Sequence, residues 1–225
     1  MRLPNLLGNL KPALLALLIV VGLAVKANDA HAAETEVLTV AGGCFWCVEA
    51  DFEKVRGVSE VVSGYTGGSV PNPTYKQVVQ GGTGHYEAVQ ILFDPDAVSR
   101  AQLLDLFFRS IDPLDAGGQF CDRGESYRSA IFVTSPEERR IAEAAKSRAE
   151  AALGQSVVTP ILDAGPFYRA EDYHQDYYKS DERIAFTSVG LAVPKRVAYE
   201  RYRDRCGRDA RVRALWGDDA PFAGG

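Results

Sequence analysis

Cys44 has the surroundings in this sequence that best suit covalent chemistry. It follows Gly42-Gly43 and opens a run with helical spacing, Phe45 to Val55. A sulfur there sits beside unpaired backbone N–H groups at the positive end of a helix dipole, which favours the thiolate. The two glycines let the backbone come close to a ligand. The plain alternative is a buried structural cysteine, for which a position just after Gly-Gly is a poor choice. Phe45 and Trp46 follow directly, and adjacent helical residues diverge by about 100°. At least one of them should therefore wall a pocket beside the sulfur.

A second reactive group is Glu87. In the alternating run Gly84 to Asp94, His85, Glu87, Val89, Ile91 and Phe93 share one strand face. A carboxyl on an otherwise apolar face is desolvated, which raises its pKa towards the protonated form. A neutral carboxylic acid is what a reaction needs when it must protonate a departing oxygen. If Glu87 lies instead at a solvated strand end, it is an ordinary carboxylate. The pattern alone leaves both readings open.

The elements that must hold these groups are legible in outline. Val37 to Val40 reads as a strand running into the Gly-Gly turn, and Val58 to Tyr65 as a second strand. A loop, VPNPTY, leads to a short helical piece around Lys76 to Gln80. Ala101 to Ile111 is an apolar helix capped by Ser99 or Asp96, followed by a long loop, Asp112 to Ser126. Ser129 to Thr134 is a strand. Ser135-Pro136-Glu137-Glu138 then opens an amphipathic helix to Leu153. Val157 to Leu162 is another strand, and Val193 to Trp216 is a basic helical tail broken at Gly207. Such a tail is most often a solvated face. The pattern predicts an α+β fold: a two-layer sandwich with a mixed β-sheet, of split βαβ, ferredoxin-like form, and packed helices.

Composition narrows the setting. The chain has 225 residues, 46% of them hydrophobic, enough for one domain with a real core. Charges of both signs are mixed and the net charge is −5, which argues against a nucleic-acid binder. Residues 1–32 read as a secretory signal peptide: Arg2 and Lys11, the apolar run Ala13 to Val25, then Ala30-His31-Ala32. That run is 13 residues long, short for a membrane span of about 17–25, so an uncleaved anchor is the alternative. Cleavage would leave a single catalytic domain, 33–225, with its tail from about 193. It would also remove Met1, the only methionine, and leave all four cysteines (Cys44, Cys47, Cys121, Cys206) in an oxidising compartment. The expected location is periplasmic or secreted, and the expected state a monomer.

Six segments occur in collinear order over roughly residues 36–180: GCFWCVE (Gly43–Glu49), SGYTGG (Ser63–Gly68), NPTY (Asn72–Tyr75), GHYEAV (Gly84–Val89), DRGESYRSAI (Asp122–Ile131) and AEDYHQDY (Ala170–Tyr177). Together they resemble the A-type peptide methionine sulfoxide reductases. The resemblance implies Cys44 as nucleophile and Glu87 as acid. It implies Tyr65 and Tyr127 as hydrogen-bond donors to the sulfoxide oxygen and Asp122 as support for that network. Phe45 and Trp46 would hold the substrate methyl. The implied reaction converts methionine S-sulfoxide, in proteins or free, to methionine while Cys44 becomes a sulfenic acid. A second thiol closes a disulfide, which a thioredoxin-like dithiol reduces. No metal and no organic cofactor is implied.

The chain departs from that pattern where the second thiol is concerned. The Gly-rich C-terminal tail that often carries it is replaced by RDRCGRDARVRALWG. Cys206, ringed by Arg203, Arg205 and Arg208 and followed by a flexible Gly207, is the expected resolving cysteine. Cys47 is the alternative, through its C-x-x-C spacing, and Cys121 comes third. A thiol–disulfide oxidoreductase would explain C-x-x-C but not an acid on an apolar strand face. A zinc site finds no ligand spacing in one C-x-x-C, two isolated cysteines and the separated His85 and His174. A binding module built on the aromatics of PFYRAEDYHQDYY would use a segment already inside the resemblance.

Overall fold

The computed structural model describes residues 35–187 and 190–224. Residues 1–32, expected to be a signal peptide, lie outside the described residues. In chain order the main elements are β1 (Glu36–Gly42), α1 (Phe45–Phe52), β2 (Val58–Thr66), α2 (Tyr75–Gln80), β3 (Tyr86–Phe93) and α3 (Arg100–Ser110). The short strands β4 (Gly118–Gln119) and β5 (Asp122–Arg123) precede β6 (Ser129–Val133), α4 (Pro136–Leu153), β7 (Ile161–Asp163) and β8 (Tyr168–Arg169). A hairpin, β9 (Arg183–Thr187) and β10 (Gly190–Pro194), leads into α5 (Lys195–Cys206) and α6 (Arg208–Trp216).

Six strands form one sheet in the order β7-β6-β1-β3-β2-β8. Strand β3 lies antiparallel between β1 and β2, which makes β1-α1-β2 a split βαβ unit. With β6 antiparallel on the other side of β1, the four central strands have the ferredoxin-like order. The sheet is mixed because β7 joins β6 in parallel. The expected α+β architecture is therefore the observed one.

Period-2 alternation decides which face is the core. Leu38 and Val40 of β1, Val61 and Tyr65 of β2, Val89, Ile91 and Phe93 of β3, and Ile131 and Val133 of β6 pack with Phe45, Val48 and Phe52 of α1 and Leu104, Phe107 and Phe108 of α3. The other face carries a smaller cluster: Ala41, Tyr86, Ala88, Ala130 and Phe132. The helices start where local chemistry says they should. Ser99 caps α3 and Thr74 caps α2, each in a reciprocal box with the glutamine three residues on. Ser135 caps α4, with Pro136 in its first turn.

The C-terminal region departs most from expectation. The β9–β10 hairpin follows the aromatic, acidic stretch, where the sequence offered no element, and the helical tail is not a solvated basic face. Gly207 does break it, in the left-handed conformation at φ 69°. Yet Lys195, Arg203 and Arg208 are buried: Lys195 pairs with Glu182, and Arg203 and Arg208 pair with Asp51 of α1.

Candidate active site

The β1–α1 turn sets the position of Cys44. Gly43 has φ 80°, and a Cβ there would lie 2.5 Å from the Gln119 side chain, so only glycine passes this corner without displacing β4. Cys44 is the N-cap of α1; its carbonyl accepts from the N–H groups of Cys47 and Val48. The first N–H of the helix, on Phe45, donates to Glu87 Oε2 at 3.1 Å. The helix start thus holds the acid directly beside the thiol.

Glu87 is 2% exposed, and burial pushes its carboxyl up to about 8. The bonds from Phe45 N–H and the Tyr127 side chain oppose that rise without cancelling it. Of the two sequence readings, the structure selects the buried one. At neutral pH Glu87 is a carboxylic acid.

These groups border a cavity of about 60 Å³. Its lining joins Cys44 and Glu87 with the apolar rings of Phe45 and Trp46 and the polar side chains of Tyr75, Tyr127, Asp122 and Tyr202. Trp46 is held by Tyr177, whose ring stacks on it at 3.8 Å, and by His174 at 5.5 Å. His174 is buried among these rings, and desolvation lowers it to about 4, so the ring is neutral. Asp122 accepts from the Tyr202 hydroxyl, and burial raises its carboxyl above the usual carboxylate range. A larger, open groove of about 750 Å³ lies elsewhere, lined by Val37, Thr39, Gln90 and Phe132 among others; no thiol borders it.

Tyr65 does not border the cavity. Its hydroxyl donates to Glu171 Oε2 at 2.9 Å, while Glu171 Oε1 accepts from the backbone N–H of Tyr75 at 3.0 Å. The tyrosine paired with Tyr127 is instead Tyr75, hydrogen-bonded to it within the cavity wall. Of the two expected tyrosines, Tyr127 lines the cavity and Tyr65 does not, and Tyr75 stands beside Tyr127 there. Register gives the reason. Tyr65 pairs with Glu87 across β2–β3 and with Tyr168 across β2–β8, deep in the sheet, and its ring is spent on packing against Phe45. Tyr75 is the first residue of a helix whose start is fixed by Thr74, so it projects from an edge. The NPTY segment, with its Thr-x-x-Gln box, carried that signal. Tyr202 had no local signal, lying 158 positions from Cys44 on a tail helix.

The cysteines also differ from expectation. Cys206, the expected resolving cysteine, is bonded to Cys121. Cys44 and Cys47 are thiols, both buried, one helical turn apart and hydrogen-bonded to each other. Burial, then the bond to Cys47, raises Cys44, and the same bond lowers Cys47 with help from Arg208 and Arg203. The helix-dipole argument expected the anion on Cys44. Desolvation outweighs a dipole of half a charge, so the thiol of Cys44 is held up while that of Cys47 is lowered. Of the arginines expected to serve Cys206, Arg203 and Arg208 pair with Asp51 instead.

Comparison with known proteins covers most of the chain. The family model for peptide methionine sulfoxide reductase matches residues 36–205. Peptide methionine sulfoxide reductase MsrA 2 of Rhizobium meliloti is 47% identical over 195 residues, covering 87% of this chain and 90% of that protein. The MsrA of Bacillus subtilis is 47% identical over 184 residues, covering 81% and 96%. Among solved structures, Mxr1 from Saccharomyces cerevisiae in reduced form aligns with a TM-score of 0.63 at 30% identity, covering 73% of this chain and 92% of that one. Methionine sulfoxide reductase A of Corynebacterium diphtheriae aligns with a TM-score of 0.59 at 31% identity, covering 73% and 85%.

Proposed function

The chain belongs to the peptide methionine sulfoxide reductase family, and from that premise we propose that Cys44 reduces methionine S-sulfoxide, in proteins or free, with Glu87 as the acid. One observation carries the reading: a carboxyl kept protonated at neutral pH shares a cavity of about 60 Å³ with a thiol, between an apolar wall and a pair of tyrosines. That cavity matches a methylsulfinyl group. Phe45 and Trp46 receive the methyl, while Tyr75, Tyr127 and Glu87 face the oxygen. A sulfoxide of fixed hand satisfies both walls at once.

The atoms balance as follows. Cys44 gives up its proton to solvent and its sulfur attacks the sulfoxide sulfur. Glu87 protonates the oxygen, which moves to Cys44 as the S–O bond to the substrate breaks. Methionine leaves with two electrons more than the sulfoxide had, and Cys44 is a sulfenic acid. Cys47 then attacks the Cys44 sulfur; the hydroxyl departs with the Cys47 proton as water, and a Cys44–Cys47 disulfide remains. An external dithiol of thioredoxin type restores both thiols and is itself oxidised. Cys47 takes the resolving role because it is one turn away and hydrogen-bonded to Cys44, whereas Cys206 is engaged with Cys121.

Export fits the same reading. Arg2, Lys11, the apolar run Ala13 to Val25 and Ala30-His31-Ala32 form a leader, and an exposed loop disulfide suits an oxidising compartment. The mature protein then works outside the cytoplasm, with electrons delivered by a dithiol protein there.

A single-turnover assay tests the mechanism by counting methionine formed per enzyme without reductant. Cys44→Ser should form none. Cys47→Ser should form one and then fail to recycle with a dithiol protein, while Cys206→Ser should recycle. Methionine from Cys44→Ser would end the proposal for the nucleophile, and normal recycling by Cys47→Ser would end that for the resolving thiol.

A further inference from the structure

Trp46 and Glu49 are three residues apart and so share one face of α1. The segment that follows β8 is laid along that face. Tyr177 stacks on the Trp46 indole, with ring centroids 3.8 Å apart and planes at 11°. One residue earlier, the backbone N–H of Asp176 donates to Glu49 Oε1 at 2.6 Å. The Ser63 hydroxyl of β2 donates to Glu49 Oε2 at 2.9 Å. A single carboxyl thus ties α1, β2 and this segment together.

Glu49 is wholly buried, and its place is a costly one for a carboxyl. Carboxylate oxygens of Glu53 and Asp176 come within 4.8 Å of its own, and Lys179 pairs with those two acids. Burial pushes Glu49 up to about 7, against the bonds from Asp176 and Ser63. Either charge state keeps the tie, since a protonated carboxyl still accepts from the Asp176 N–H and can donate to Ser63. What Glu49 holds is a corner of the backbone. Asp176 is left-handed at φ 54°, which a non-glycine residue keeps only where its neighbours fix it. On one side of the corner the Gln175 side chain accepts from the Ser63 N–H at 3.0 Å and donates to the carbonyls of Ser63 and Ala170, at 3.0 and 2.9 Å. On the other side is the Tyr177 ring that stacks on Trp46.

We propose that Glu49 is a positioning residue for the apolar wall: by holding the Asp176 corner it keeps the Tyr177 ring stacked on Trp46, and so sets how tightly the substrate methyl is bound. The proposal rests on the reading above that Trp46 receives that methyl. Glu49 does not border the cavity and acts only through Tyr177 and Trp46. Its loss weakens the methyl contact in the ground and transition states alike, which raises KM while kcat keeps most of its value. A merely structural role would reduce the amount of active enzyme and leave KM where it was.

Two measurements separate the hold on Trp46 from its use. The chain has two tryptophans, so Trp216→Phe leaves Trp46 as the one indole, and acrylamide quenching of its fluorescence then reads how well it is covered. Steady-state kinetics on a blocked methionine S-sulfoxide read KM and kcat. In that background Glu49→Ala should raise the quenching constant and raise KM about tenfold, with kcat changed by less than about threefold. Glu49→Gln should restore both, because its amide accepts from the Asp176 N–H and donates to the Ser63 hydroxyl. Glu49→Met fills the same space without an acceptor and gives the same test if Glu49→Ala does not fold. Unchanged quenching in a folded Ala or Met variant overturns the hold of Glu49 on Trp46. A Gln variant as impaired as the Ala variant overturns it too, since charge and not hydrogen bonding would then matter. Raised quenching with KM unmoved overturns instead the reading of Trp46 as the methyl wall, and the proposal with it.

Discussion

The two cysteine pairs differ in nearly every physical respect. Cys44 and Cys47 are one helical turn apart, buried, unbonded and surrounded by ionisable groups: Glu87, Asp51, Arg203 and Arg208. Cys121 and Cys206 are 85 positions apart, more exposed and bonded, joining the loop that carries Asp122 to the end of α5. Spacing along the chain makes the second pair the better staple, since it closes a long loop. Surroundings make the first pair the better reagent, since reactivity follows the charges and dielectric a thiol feels. The expectation that Cys206 serves Cys44 put sequence-local arginines above three-dimensional placement. Two of those arginines, Arg203 and Arg208, pair with Asp51 of α1.

The contrast breaks if a member of the first pair can be lost without chemical effect. Cys44→Ser should abolish methionine formation, a fall of at least about 10³-fold, because no other thiol borders the cavity. Loss of comparable size in Cys121→Ser would erase the distinction. The next largest effect belongs to the acid. Glu87→Gln should slow the sulfoxide step by about 10²–10³-fold. The pH profile checks the same residue with a definite sign. Its carboxyl is raised to about 8, so the donating form is present at neutral pH and is lost as pH climbs through that value. The wild-type rate of methionine formation should fall above about pH 8, and the amide variant should show no such fall.

A smaller effect distinguishes the tyrosines. Tyr75→Phe removes a hydroxyl from the cavity wall and should reduce the rate about tenfold with little change in folding. Tyr65→Phe removes a bond to Glu171, the carboxylate that also holds the Tyr75 backbone N–H, and should cost activity only a few-fold. Steady-state rates on a blocked methionine S-sulfoxide measure both. A larger loss at Tyr65 would restore the assignment that the motif resemblance suggested.

Much of the frame was readable because it rests on local rules. Alternation from Glu87 to Phe93 identified the core face of β3, and Ser99 and Ser135 marked helix starts. Gly43-Cys44 marked a turn into a helix. Cys44, Glu87, Phe45, Trp46, Asp122 and Tyr127 all border one cavity. What could not be read depends on contacts between distant segments. Tyr202 reaches Asp122 across 80 positions, and Arg203 reaches Asp51 across 152. The sign of the Cys44 shift was unreadable for the same reason: a dipole is a property of one helix, whereas desolvation is a property of everything packed over it.

The least effect on chemistry should come from the staple, together with a clear effect on stability. Replacing Cys121 and Cys206 by serine leaves the cavity walls in place, since Asp122 is held independently by Tyr202. Methionine formed in a single turnover should change by less than about threefold, while unfolding stability falls by roughly 2–4 kcal/mol, as for loss of a long-loop disulfide. For a domain of this size that corresponds to a midpoint lower by about 10 °C in calorimetry. The two measurements bear on the contrast separately. Intact stability would mean that the bond restrains nothing in the unfolded chain, and a lost turnover would mean that the loop depends on it to carry Asp122 to Cys44. A drop in stability with turnover preserved leaves each pair with one task, so an external dithiol could open the staple without touching the chemistry, provided the fold survives at working temperature.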